Sequence, residues 1–276
     1  CITGRRRQAV LSHHGRLGGS EAPFLTGHAA GSTLELPAAA TTPHLAYIPL
    51  PFVGADHADG HVVGLAVLVP DGLEIREQRH VRQVLGRIDT LTGGGRVWQL
   101  QRVNAHDGPW ATRSERWTKP ARQWATVTPL VLDRLLKPNV TIDSERVRNL
   151  VLSALERMGL EAPESLWIGP TSAHRGVPAI RDFQPPPGRL NGPSRRMVHV
   201  VAKWAEPVVG PLLAGSERHQ GYGLFASLSD PAWRAVFDEQ QTSQVANRLA
   251  IGAPPALAGL APATDQDSAS ADEDDE

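Results

Sequence analysis

Apolar positions along this chain follow two rhythms. Residues 61–70 (HVVGLAVLVP) form an unbroken, β-branched run, the pattern of a buried strand. Before it, 45–53 (LAYIPLPFV) reads as a strand interrupted by prolines, which favours a sheet edge or a bulge. The intervening 54–60 (GADHADG) is a turn-like loop. Leu73, Val81, Val84, Leu85 and Ile88 then recur at helical spacing over 71–90, and three glycines at 93–95 end that helix. Residues 97–103 (VWQLQRV) alternate apolar with polar, as a half-buried strand does.

The pattern restarts near Gln123. Residues 124–132 (WATVTPLVL) are strand-like, and Asp143 or Ser144 caps a helix through Met158 that Gly159 closes. Its apolar stripe is Val147, Leu150, Val151, Ala154 and Leu155. A short strand at 166–170, a Pro/Gly loop at 184–193 and a strand at 197–204 (MVHVVAKW) follow. Another apolar run, 224–228, comes after a glycine-rich loop, and Asp230-Pro231 opens a helix to about Leu249. Strands around one helix in each half give an α+β chain, for which two ferredoxin-like units in tandem are the natural assembly. The predicted organisation is an irregular segment 1–42, units 43–120 and 121–229, a helix at 230–252 and a disordered acidic tail at 253–276. Ordered structure is expected from His44 onward.

Composition narrows the function classes. No apolar run reaches the roughly 18 residues of a membrane span, and no secretory signal pattern is visible, so a cytoplasmic setting fits. A single cysteine, Cys1, excludes an internal disulfide framework and a Cys-based zinc knuckle. A chain that opens on cysteine rather than methionine reads as a fragment or a processed product. Its net charge of −1 conceals an asymmetry. Residues 262–276 hold seven acids and no Lys or Arg, and without them 28 basic residues face 22 acidic ones. A basic body is compatible with a nucleic-acid partner. No Walker loop, nucleophile elbow or dinucleotide fingerprint is present.

Within 210–228 (GPLLAGSERHQGYGLFASL), Gly215, Gly221 and Gly223 bracket Arg218 and His219. Glycines permit positive φ and close backbone approach, and exposed amides beside an arginine suit a phosphate backbone. The plainer alternative is an ordinary hairpin loop. Arg175, Arg195, Arg196 and Lys203 are further cations able to track phosphates, and Trp204 or Tyr222 to stack a base, although core packing suits Trp204 better.

Three blocks, 43–70 (PHLAYIPLPFVGADHADGHVVGLAVLVP), 122–138 (RQWATVTPLVLDRLLKP) and 198–228, resemble the RAMP-superfamily subunit of type I-G (formerly type I-U) CRISPR systems. In that family a guide-capping half is fused to a guide-RNA-processing half, and this chain resembles the C-terminal, processing half. The resemblance implies ferredoxin-like domains, a C-terminal glycine-rich loop on RNA, and cleavage of repeat transcripts with no metal or other cofactor. It implies as partners the CRISPR repeat or guide RNA and the other subunits of the interference complex, with no membrane. The candidate RNA-binding residues are then Gly215, Arg218, His219, Gly221, Gly223, Arg175 and Lys203.

Metal-free cleavage needs a proton acceptor for the 2′-OH, a donor for the 5′-oxygen and a cation for the phosphorane. Histidine suits either proton role. Processing members of the family keep a histidine in or after the loop following the first strand, which points to His57; His44, at the start of that strand, is second. Alternatively His57 is a loop residue bonded to Asp56 or Asp59, and His44 closes a strand end. His28 could complement them, and His61 reads as structural. Two other classes compete: a non-catalytic RNA-binding scaffold of the same complex, and a metal-dependent hydrolase using Asp56, His57, Asp59 and His61. Gly60 and the following β-run argue against the helix that a His-x-x-x-His metal pair prefers.

Overall fold

The computed structural model describes residues 23–27, 44–93, 95–184 and 195–228. All belong to one compact unit spanning 1–233; a second, 234–276, lies outside the described residues. Outside them too lie His28, most of the 184–193 loop, the predicted helix from Asp230 and the acidic tail. The fold is mixed helix and sheet.

The larger sheet is antiparallel. Strand β8 (Met197–Val208) pairs with β5 (Ala121–Thr126), β6 (Leu130–Val131) and β7 (Ser165–Gly169), and β5 also pairs with β9 (Phe225–Ser227). Register sets Trp124 opposite Ala202 and Trp167 opposite Val201. Between β6 and β7 runs a helix, Glu145–Glu156, started by the Ser144 hydroxyl, which accepts from the Val147 N–H at 3.4 Å. Strand alternation sends Val198, Val200, Ala202 and Trp204 to one face, where the helix lays Val147, Val151, Ala154 and Leu155. His199, Val201 and Lys203 therefore belong to the opposite face. Trp124 lies at the centre of the core, 0% exposed, its indole N–H donating to the Ala121 carbonyl at 2.9 Å. Trp124→Ala is expected to cost about 3–5 kcal/mol, read as a fall in the urea midpoint.

The preceding residues form two separate hairpins rather than one sheet. Strands β1 (Ala46–Pro51) and β2 (Val62–Leu68) pair antiparallel, and the register shifts at Leu50/Pro51, where the prolines predicted a bulge. β2 is half-exposed, not buried as its apolar run suggested, because among the described residues β1 is its only strand partner. A helix at Ile75–Leu85, its Glu74 N–H held by the Glu77 carboxylate at 2.9 Å, buries Val81 and Val84. Strands β3 (Thr90–Gly93) and β4 (Arg96–Gln99) make the second hairpin, leaving Val97 63% exposed. Order begins before His44: a one-turn helix, Pro23–Thr26, inserts Leu25 among Leu45, Tyr47 and Leu73. In chain order the helices are α1 (Pro23–Thr26), α2 (Ile75–Leu85), α3 (Glu115–Thr118) and α4 (Glu145–Glu156). Ile48, Leu50 and Val53 of the β1 region share a core with Val127, Leu213, Leu224 and Ala226, which joins the first hairpin to the glycine-rich segment.

Candidate functional site

The glycine-rich segment is a tight hairpin folded onto β6. Phe225 N–H donates to Leu212 O at 3.0 Å, Ala214 N–H to Gly223 O at 3.0 Å and Gly223 N–H to Pro129 O at 2.9 Å. Gly215, Gly221 and Gly223 have φ of 96°, 85° and 64°. The positive φ expected from sequence is present, but the close approach is to protein. A Cβ on Gly215 would stand 2.7 Å from Val131 O, and one on Gly223 1.8 Å from Ala214 O. These glycines are buried and present no open cradle.

Between Gly215 and Gly221 a single 3-10 turn, Arg218–Gln220, turns back toward β1. It carries His219 onto His44, ring centroids 3.7 Å apart and planes at 31°. Two residues chosen for different roles, one a proton-transfer candidate and one an RNA contact, thus form one cluster. Burial, then the neighbouring His44 and Arg218, push the His219 pKa down to about 4. Its Nδ1 is buried without a hydrogen-bond partner. Arg218 is half-buried, its Nη1 donating to Gly215 O at 3.4 Å, and no carboxylate among the described residues pairs with it. Two imidazoles this close cannot both hold a proton at little cost, so His219 is the neutral member.

His57 sits elsewhere. His44 precedes β1 and the 54–60 loop follows it, so the six-residue strand, about 20 Å long, separates them. They cannot flank a single phosphate. His57 is exposed, and neither Asp56 nor Asp59 bonds it; Asp59 Oδ1 accepts instead from His61, whose Nδ1 is 2.5 Å away. Among the described residues no group of three His, Cys, Asp or Glu side chains is placed to hold a metal.

The 54–60 loop is fastened to the segment around Arg175, since Gly54 N–H donates to Arg175 O at 3.0 Å. Arg175 is exposed at this junction. Lys203 is partly exposed on the sheet face away from α4, opposite Gln123 and Ser165. Arg196 is spent on structure, donating to the carbonyls of Val140, Lys137 (3.1 Å) and Pro138 (2.8 Å). Arg195 pairs with Glu217 at 3.5 Å. Trp204 and Tyr222 are buried, with Nε1 on Glu161 O at 2.8 Å and the hydroxyl on Gln184 O at 2.7 Å, so neither offers a face to a base.

Sequence reasoning missed Arg116 and His174. Arg116 lies in α3, its guanidinium 4.7 Å from the ring centre of Trp110 and 5.6 Å from that of Trp117. Burial lowers its pKa to about 10, leaving it cationic at neutral pH. His174 is 6% exposed and its Nε2 donates to Ala226 O at 3.2 Å. Burial, then Arg116, bring its pKa to about 4. Deeper still, His199 donates from Nε2 to Pro178 O (3.2 Å) and accepts at Nδ1 from the Thr126 hydroxyl (3.0 Å), a fully used neutral tautomer whose pKa burial also lowers to about 4. A lone cation in a polar stretch and a histidine ahead of Arg175 carried no periodic signal.

The two buried rings set an acid limit. Unfolded histidines protonate near pH 6.5. His174 and His199 resist to about 4. Their stabilisation is therefore complete above about pH 6.5 and is lost as pH falls toward 4. Going from pH 7.5 to 5 is expected to remove roughly 2 kcal/mol per ring. Urea midpoints at the two pH values check this, and equal midpoints would overturn it.

A model of the CRISPR-associated protein, GSU0054 family, matches residues 2–227. The chain belongs to that family, and its role lies in CRISPR defence. No curated protein and no solved structure matches it. Among the described residues no helix is long and apolar enough to cross a membrane.

Proposed function

We propose that this protein is a RAMP-superfamily subunit of type I-G systems that binds CRISPR repeat transcripts and cuts them without a metal, then stays in the interference complex with the guide. The observation that carries this reading is the meeting of His44 with His219 beside Arg218. The strand order supports a ferredoxin-like second unit. With β5, α4, β7, β8 and β9 taken as successive elements, the pairings β7–β8–β5–β9 give the antiparallel order of a split βαβ repeat, and the glycine-rich hairpin stands where a second helix would be. The first unit, with two separate hairpins, offers no such order for the tandem arrangement.

In the reaction the ribose 2′-oxygen attacks the adjacent phosphorus and the bond to the 5′-oxygen breaks. The 2′-proton passes to a base, and the leaving oxygen takes up another proton. The products are a 2′,3′-cyclic phosphate and a 5′-hydroxyl. His44 is the ring of the pair able to take or give that proton, with water serving the other transfer. His219, neutral, is a positioning residue that fixes the His44 ring by stacking. Arg218 offsets charge on the phosphorane.

Incubating the protein with its cognate repeat RNA in excess chelator tests this. Cleavage to cyclic-phosphate ends is expected. RNA binding without cleavage would leave the non-catalytic scaffold; cleavage abolished by chelator would sink the metal-free chemistry.

A further inference from the structure

Beyond the far end of β1 lies a pocket bounded by Gly54, Asp56, Trp110, Arg116, His174 and Arg175. Its construction is unusual for a packing defect. The Arg116 guanidinium is largely withdrawn from water, its Nε is buried without a partner, and its best bond is a long one from Nη1 to Ser227 O at 3.4 Å. No carboxylate among the described residues forms an ion pair with Arg116 or with Arg175. A desolvated cation lacking a counter-ion is costly to hold, and an incoming anion relieves that cost.

The walls keep the cation accessible. Gly54, at φ 74°, borders the guanidinium so closely that a Cβ there would stand 3.1 Å from Nη2 and 3.3 Å from His174 Nδ1. Any side chain at this position would crowd the pocket. His174 stays neutral and so adds no repulsion to Arg116. Trp110, 46% exposed, holds the arginine on one face and leaves aromatic surface at the rim. Compact bonds fix this rim: Arg113 Nε donates to Gly108 O at 2.9 Å and Ser114 N–H to Ala105 O at 2.8 Å. Asp56 is the one opposing charge on the lining, and it is exposed.

We propose that this pocket is a second RNA-contact site, in which Arg116 and Arg175 grip a phosphate of a single-stranded stretch and Trp110 stacks the adjoining base. Arginine pairs suit phosphate oxygens, and an exposed tryptophan suits an unstacked base. The inference rests on the RNA reading above and adds to it a contact distinct from the His44–His219 cluster, separated from it by the length of β1.

The test is binding of a short single-stranded oligoribonucleotide, followed by fluorescence anisotropy at low salt, alongside cleavage of repeat RNA by the same proteins. Arg175→Glu and Arg116→Gln are expected to weaken binding at least about tenfold. Trp110→Ala should weaken it by about 5- to 100-fold. Asp56→Asn should tighten it roughly two- to fivefold, a gain that misfolding cannot produce. Unchanged affinity in Arg175→Glu and Trp110→Ala, failure of the unaltered protein to bind the oligonucleotide, or equal displacement by polyglutamate would overturn the proposal. Tight binding through the pocket with no cleavage by any protein would sink the nuclease reading alone.

Discussion

With His44 replaced by alanine, cleavage of repeat RNA is expected to fall at least about 100-fold, the low end of what a positioned proton-transfer group contributes. Affinity for the RNA should be nearly unchanged, because the cations around the cluster remain. His44→Phe keeps a ring on His219 but cannot move a proton, and it should be as inactive as the alanine variant. His57→Ala, made in parallel, should cut within a few-fold of the unaltered protein, since His57 is exposed and lies at the other end of β1. The reverse pattern, His57→Ala inactive and His44→Ala active, would move the reacting phosphate to the 54–60 loop. A pH–rate profile adds a readout that a purely structural ring would not alter: removing His44 should change the shape of the profile and not only its height.

A large loss of stability is expected from Gly223→Ala. Its Cβ would stand 1.8 Å from Ala214 O, in a hairpin closed by the bond from Ala214 N–H to Gly223 O. The residue also holds φ 64°, where an L side chain costs about 1–2 kcal/mol by itself. Together these should exceed about 3 kcal/mol and open the segment that carries His219. Gly159→Ala is the matched control. It has φ 76° with nothing within 4 Å of the added methyl, so it should lose only the backbone term. Equal urea midpoints for the two variants would show that the hairpin yields to the methyl at no cost.

These residues mark how far the sequence could be read. Helix α4 was legible because its cap, Ser144, and its stripe at Val147, Val151, Ala154 and Leu155 are local signals. The bulge in β1 was legible for the same reason: proline removes a donor wherever it stands. β2 was misjudged, since an apolar run reports hydrophobicity and not how many strands will cover it. Positive φ in the glycine-rich loop could be anticipated, but not that the open sides of Gly215 and Gly223 would face the carbonyls of Val131 and Ala214. The joining of His44 to His219 was beyond local pattern altogether, because 174 residues of chain lie between them. Arg116 was invisible for a different reason. What distinguishes it is the missing counter-ion and the stacked Trp110, and both are properties of tertiary packing.

The shared core of Ile48, Leu50 and Val53 with Leu213, Leu224 and Ala226 also sets a timetable. During synthesis the first hairpin leaves the ribosome well before the residues that cover it. At roughly 5–20 residues per second, the partners arrive some tens of seconds or less afterwards. Over that interval the apolar side of β1 has no permanent cover, and neither half of the histidine cluster exists as a unit. The nascent chain gains its proposed site only as the glycine-rich hairpin and β9 are laid down, so an RNA met earlier would encounter an incomplete histidine cluster.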